Sequence, residues 1–218
     1  MIKAVLFDLD GTFADTAPDL AAALNHVRAT CNLPPLPLAV LRPQASHGSA
    51  GLLKTGMNVT PDSPEFSALR DIFLDHYTHH ICVETRLFAG MAELVLELEQ
   101  RAIKWGIVTN KPHRFTLPLM HALGYAERAS CLISGDTCAH AKPHPAPMLK
   151  ACEIIQVAPE RCLYLGDDKR DMDAANAVNM RSIIANYGYV SGDVSVENWN
   201  AQGSVDHPME LIACLTGS

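Results

Sequence analysis

The stretch KAVLFDLDGTFADT, residues 3–16, decides the fold. Ala4, Val5, Leu6 and Phe7 run together without a polar break. Two aspartates, Asp8 and Asp10, follow one residue apart, with Gly11 and Thr12 directly behind. A short apolar run with no alternation predicts a strand buried on both faces, the pattern of a parallel sheet. Two like charges side by side at its end predict a bound cation, because each carboxylate disfavours ionisation of the other.

Outward from this strand the pattern changes. From Asp15 to about Thr85 no strand is predicted. Leu20, Leu24, Val27 and Cys31 recur at helical spacing. SPEFSALRDIFLDHY (63–77) offers Ser63 as an N-cap, Pro64 at the first helical position, and Phe66, Leu69, Phe73 and Tyr77 on one face. Between them LPPLPLAVLRPQASHGSAG (33–51) is broken by prolines and glycines, which predicts short helices. An insertion of roughly 70 residues far exceeds an ordinary βα loop, so it is expected to form its own domain. The expected division is a catalytic core of residues 1–13 and 88–218, with a helical domain at 14–87.

After it, strand and helix alternate. GMAELVLELEQRA (helix), KWGIVTN (strand), RFTLPLMHALG (helix), SCLISGD (strand), APMLKACEIIQ (helix), CLYLGDD (strand), RDMDAANAVNM (helix) and SIIANY (strand) succeed one another, and HPMELIACL closes as a helix. This alternation predicts an α/β fold, a doubly wound parallel sheet of Rossmann-like type with helices on both faces.

Composition narrows the function. The 218 residues are 48% hydrophobic and 19% charged, ordinary for a globular protein. A net charge of −7 disfavours nucleic acid or an anionic membrane as partner. No apolar run approaches the ~18 residues that predict a membrane span. The N-terminus lacks a signal-peptide cleavage site. Seven scattered cysteines, odd in number and without CxxC, predict reduced thiols rather than disulfides or a zinc site. The expected setting is the cytoplasm.

In doubly wound sheets chemistry gathers beyond the carboxyl ends of the strands. Four polar signals fall there: Asp8 and Asp10 after the first strand, Thr109 and Asn110 ending WGIVTN, Asp167 and Asp168 ending CLYLG, and Lys142 in HAKPHPAP. Each acquires a task if the ligand is a phosphate ester with a divalent metal. A hard cation such as Mg²⁺ takes carboxylate and carbonyl oxygens, which Asp8, Asp10 and Asp167 can supply. One carboxylate can attack phosphorus, and a second, protonated, can donate to the leaving oxygen and later activate water. Thr109 offers a hydroxyl to phosphate oxygens and Lys142 a point charge. Asp171, one helical turn beyond Asp167, can hold metal waters or Lys142, or act as a first-turn helix charge. Asp168 reads equally as a ligand or as a helix N-cap. Lys54, His79 and His80 read as solvated helix surface, and Trp105 as core.

DLDGTFADT, TN, KP and GDDKRD, in this order, resemble the four motifs of the haloacid dehalogenase superfamily in its phosphatase branch, over essentially the whole chain. The resemblance implies a Rossmann-like core with a helical cap inserted after the first motif. It implies that Asp8 is the nucleophile and a Mg²⁺ ligand, and that Asp10 is the general acid/base with its carbonyl on the metal. It further implies that Thr109, Asn110 and Lys142 bind the phosphoryl group, that Asp167 completes the metal site, and that Asp171 supports it. Phe13 stands where these enzymes more often carry Leu. Within the branch the chain resembles the phosphoglycolate phosphatases. It is more similar to the N-acetylmuramic acid 6-phosphate phosphatases of peptidoglycan recycling, through LFAGMAELVLELE, WGIVTNKPHRF and the tail NYGYVSGDVSVENWNAQGSVDHPMEL. The expected activity is Mg²⁺-dependent hydrolysis of a small sugar phosphate through an aspartyl-phosphate. Phosphoglycolate hydrolysis, a sugar phosphomutase on the same core, and a non-catalytic metabolite-binding module are the alternatives.

Overall fold

The structure, a computed structural model, describes residues 1–190 and 196–215. Part of the tail stretch that carries the subfamily resemblance, residues 191–195, lies outside the described residues.

In chain order the elements are β1 (Ala4–Phe7), β2 (Ala14–Asp15), α1 (Ala17–Thr30), α2 (Leu38–Leu41), α3 (Gly48–Met57), α4 (Phe66–His79), β3 (Arg86–Leu87), α5 (Met91–Gln100), β4 (Lys104–Val108), α6 (His113–Leu123), β5 (Leu132–Ile133), α7 (Ala146–Ile155), β6 (Cys162–Gly166), α8 (Lys169–Asn176), β7 (Arg181–Ala185), β8 (Ser204–Val205) and α9 (Leu211–Cys214). They fall into two compact units, Met1–Ala14 with Leu87–Ser218, and Asp15–Arg86.

In the first unit six strands pair in the order β5-β4-β1-β6-β7-β8, and every pairing is parallel. β1 sits inside the sheet with all four residues buried, as an unbroken apolar run requires. The chain adds β4 and β5 on one side of β1, then returns to add β6, β7 and β8 on the other. The direction of winding therefore reverses between β1 and β6, the switch point at which open α/β sheets leave a crevice. Register aligns the strand ends there, with Phe7 opposite both Ile107 and Leu165. Asp8 and Asp167 leave the sheet at this point.

Phe13 is fully buried. It stacks on Trp105 (centroids 5.6 Å apart, planes at 14°) and meets Tyr125 edge-on at 5.5 Å. An aromatic at this position thus serves a ring cluster beneath the Asp8–Asp10 turn. Trp105 is core, with its indole N–H donated to Glu99 at 3.0 Å.

The second unit is built on α1, α3 and α4. Arg28 of α1 is buried and donates to the carbonyls of Pro34, at 2.8 Å, and of Gly56. Asp19 is buried too. Its carboxylate accepts the N–H groups of Val83, Glu84 and Thr85 at 2.9–3.2 Å and the Thr85 hydroxyl at 2.7 Å, which pins the returning chain to the start of α1.

Two local expectations differ from the structure. Ser63 does not cap α4, whose N-cap is Glu65. Its hydroxyl instead accepts the Thr60 N–H at 3.0 Å, closing a turn. A serine side chain can bond the backbone in a turn as well as at a helix N-cap, and here it bonds the turn. The closing helix is shortened to a 3-10 turn at 208–210 followed by the four-residue α9. The edge strand β8 was not expected, being too short to carry a periodic signal.

Candidate active site

The site is built from the loops that follow β1, β4, β5, β6 and β7. Asp8 continues β1 by one residue, its N–H donated to Leu165 at 2.9 Å. The chain then folds back within six residues, the Phe13 and Ala14 N–H groups bonding to Leu9 O at 3.1 and 2.9 Å. Gly11 makes this turn at φ +88°, where a Cβ would also collide with the Asp167 carboxylate and the Tyr189 ring. Only glycine lets the first acidic loop approach the third one so closely.

Lys142 is the centre of the arrangement. Its ammonium, 2% exposed, reaches Asp8 Oδ1 at 2.9 Å, Asp171 Oδ1 at 2.6 Å, Val108 O at 2.9 Å and the Tyr164 hydroxyl at 2.8 Å. Tyr164 in turn donates to Val108 O at 2.6 Å. Burial alone pushes the Lys142 ammonium down, but the Asp171 and Asp8 carboxylates beside it hold it above its ordinary value, so the charge survives. Its peptide bond to Pro143 is cis.

Asn110 holds this lysine's main chain. Its amide donates to Lys142 O and accepts from Lys142 N–H, both at 2.9 Å. Asn110, expected on the phosphate, thus also fixes the main chain of Lys142. Thr109 is buried at the end of β4, and its Oγ1 accepts the Lys111 N–H at 3.2 Å, which leaves the hydroxyl hydrogen to point elsewhere.

Asp168 and Asp171 both show the helix-cap geometry that is one of their readings. Asp168 is the N-cap of α8, accepting the Arg170 N–H at 2.8 Å, and Asp171 returns a carboxylate oxygen to the Asp168 N–H at 3.1 Å, a reciprocal capping box. The other oxygen of Asp171 belongs to Lys142. Burial pushes the Asp171 carboxyl up to about 7, in spite of Lys142, with the Asp8 charge adding to the rise.

Asp167 follows β6. Its two oxygens accept from the Thr12 hydroxyl at 2.8 Å and the Tyr189 N–H at 3.0 Å. Burial first, then the Asp8 and Asp171 charges, push its carboxyl well above the usual range. Ligand oxygens of Asp8, Asp167 and Asp171 all lie within 4.8 Å of one another. Of the three, Asp171 also bonds the Lys142 ammonium and the start of α8.

A hard divalent ion fits this donor set. With all four carboxylates (Asp8, Asp10, Asp167, Asp171) ionised, the two ammonium groups (Lys142, Lys111) would leave two negative charges unmatched, which a divalent cation balances. All the acidic donors are oxygen, with no thiol or imidazole among them, which suits Mg²⁺ rather than a softer metal.

Several of these groups escaped the sequence reading. Lys111, 6% exposed at its side chain, holds both oxygens of Asp10, at 3.0 and 3.3 Å. Its neighbours T-N at 109–110 were the only signal. Thr12, Tyr164 and the Gly188–Tyr189 turn after β7 also support the site. Their partners lie 22 to 155 residues away in the chain, where no spacing rule reaches.

Comparison with known proteins adds a separate line. A family model described as haloacid dehalogenase-like hydrolase matches residues 5–185. The chain is 41% identical over 214 residues to the N-acetylmuramic acid 6-phosphate phosphatase of Pseudomonas aeruginosa, covering 98% of this chain and 95% of that one. It is 42% identical over 209 residues to a phosphoglycolate phosphatase of Xanthomonas campestris pv. campestris, covering 96% and 94%. A crystal structure described as a predicted phosphoglycolate phosphatase from Haemophilus somnus superposes with a TM-score of 0.86 at 24% identity, over 98% of this chain and 97% of the other, a likeness of fold.

Proposed function

Because the chain belongs to the haloacid dehalogenase-like hydrolases, and is a phosphoric monoester hydrolase, we propose that it cleaves a small sugar phosphate, N-acetylmuramic acid 6-phosphate, through an aspartyl-phosphate on Asp8. The observation that carries this reading is the Asp8 carboxylate at the switch point, bonded to the buried Lys142 ammonium and within 4.8 Å of Asp167.

The residues divide the work. Asp8 is the nucleophile, and its carboxylate oxygen forms a bond to phosphorus as the ester oxygen departs. Lys142 and the Thr109 hydroxyl take the phosphoryl oxygens, where charge spreads in a loose transition state. Lys142 also screens Asp8 from the approaching anion. Asp10 gives its proton to the departing alkoxide and afterwards takes one from the water that hydrolyses the acyl phosphate. Asp171, Tyr164 and Asn110 keep Lys142 in place. The Asp8 and Asp167 carboxylates with the Asp10 carbonyl would hold Mg²⁺, which supplies positive charge that lets two anions meet. Residues 14–87 act as the cap that selects the alcohol portion of the ester, and the seven free cysteines suit a reduced, cytoplasmic setting.

The identity to relatives of both substrate names favours keeping phosphoglycolate as a second reading. A Mg²⁺-dependent screen of phosphate release from N-acetylmuramic acid 6-phosphate, glucosamine and glucose phosphates and 2-phosphoglycolate separates the two. Asp8→Asn is expected to lose phosphate release with its circular dichroism unchanged. Turnover by that variant, or by the wild type in excess EDTA, would overturn the mechanism.

A further inference from the structure

Lys111 is built to stay where it is. Its N–H is donated to Thr109 Oγ1 at 3.2 Å, and its carbonyl accepts from the Thr116 hydroxyl at 3.0 Å and the Gly135 N–H at 2.9 Å. Pro112 follows and confines the backbone further. From this fixed base the side chain runs into the site with 6% exposure, and its ammonium meets both oxygens of Asp10 at once. A solvated lysine has none of these features, since an exposed ammonium loses several rotatable bonds for little return.

Resting on the reading of Asp10 as proton donor, we propose that Lys111 is a positioning residue for Asp10. Its ammonium holds the carboxyl group in one orientation and stabilises the carboxylate left when the proton has gone. In the first half of the reaction the Asp8–phosphorus bond forms, the bond from phosphorus to the ester oxygen breaks, and the Asp10 proton passes to that oxygen. Asp10 then carries a negative charge that did not exist before the step. A preorganised cation about 3 Å away lowers the energy of that state without having to reorient. The Lys142 ammonium instead faces Asp8, Asp171, Val108 and Tyr164.

The proposal separates leaving groups. An alkoxide needs the Asp10 proton, whereas p-nitrophenolate departs without one. In Lys111→Met, kcat/KM for N-acetylmuramic acid 6-phosphate and 2-phosphoglycolate is expected to fall about 100-fold, the low end of what general acid catalysis supplies. For p-nitrophenyl phosphate the loss should stay below about 5-fold, since its leaving group does not draw on the acid that Lys111 positions. Lys111→Arg, which keeps the charge, should recover part of the alkyl-ester activity and guards against misfolding of the Met variant. Equal losses on both ester types in a variant with wild-type Tm would overturn the proposal and place Lys111 on the phosphoryl group. Unchanged rates on all esters would overturn it as well. Failure of the functional reading itself is distinguishable: the wild type would then release phosphate from neither ester type.

Discussion

At the scale of single residues the site is a balance of charges. Asp171 keeps its proton up to about pH 7 in the folded protein, against about 4 for an ordinary aspartate, and burial is the main cause. Below about pH 4 the carboxyl is neutral in both folded and unfolded chains. Between about 4 and 7 the unfolded chain releases a proton that the folded one retains, so stability falls as pH rises through this window. Asp167 shifts in the same direction and adds to the slope. The Tm of the protein in EDTA is therefore expected to decline across this range, and Asp171→Asn should flatten the decline. Added Mg²⁺ should raise Tm most at the upper end, where the carboxylates are ionised and crowded. A Tm in EDTA that climbs steadily through the window would contradict this account.

At the scale of elements, helix α8 is more than a covering layer. Its capping box ties Asp168 to Asp171, and Asp171 to Lys142, so the helix start and the buried ammonium form one unit. Asp168→Ala removes the cap and the partner of Arg170, which bonds it at 2.7 Å. Urea unfolding should show a loss of about 1 kcal/mol, the usual cost of an N-cap. Asp171 keeps its bond to the main-chain N–H of residue 168 in this variant, so Lys142 retains its partner and activity should change little. The sequence named the two candidates at 168 and 171 but left their tasks open, since Asp in a first helical turn serves as cap, dipole partner or ligand with the same local pattern. β1 was different: its four apolar residues and the Gly-Thr behind Asp10 left a single reading, because no other element accommodates that run.

At the scale of the whole molecule, the core of the first unit encloses chemistry that the solvent does not reach. Cys131, Cys152 and Cys162 share one buried apolar cluster, and burial pushes the Cys131 thiol up to about 12. Cys31 lies exposed at the end of α1. Native protein treated with a thiol reagent at pH 8 is expected to label Cys31 promptly, with Cys131 labelled only as fast as the protein unfolds. Mass spectrometry of peptides over a denaturant series checks both rates. The sequence by itself determined the parallel α/β sheet and led to the expectation of a helical insertion, and it placed Asp8, Thr109 and Asp167 at strand ends and Lys142 just before a helix. These follow from apolar runs and turn residues that act over a few neighbours, so the information is local. Only the tertiary structure decided which groups face one another. Lys111 on Asp10, Thr12 and Tyr189 on Asp167, Tyr164 and Asn110 on Lys142 are pairings made when the sheet closes around β1. They depend on strand order and register, which bring distant residues within hydrogen-bond reach and leave no trace in the spacing of the chain.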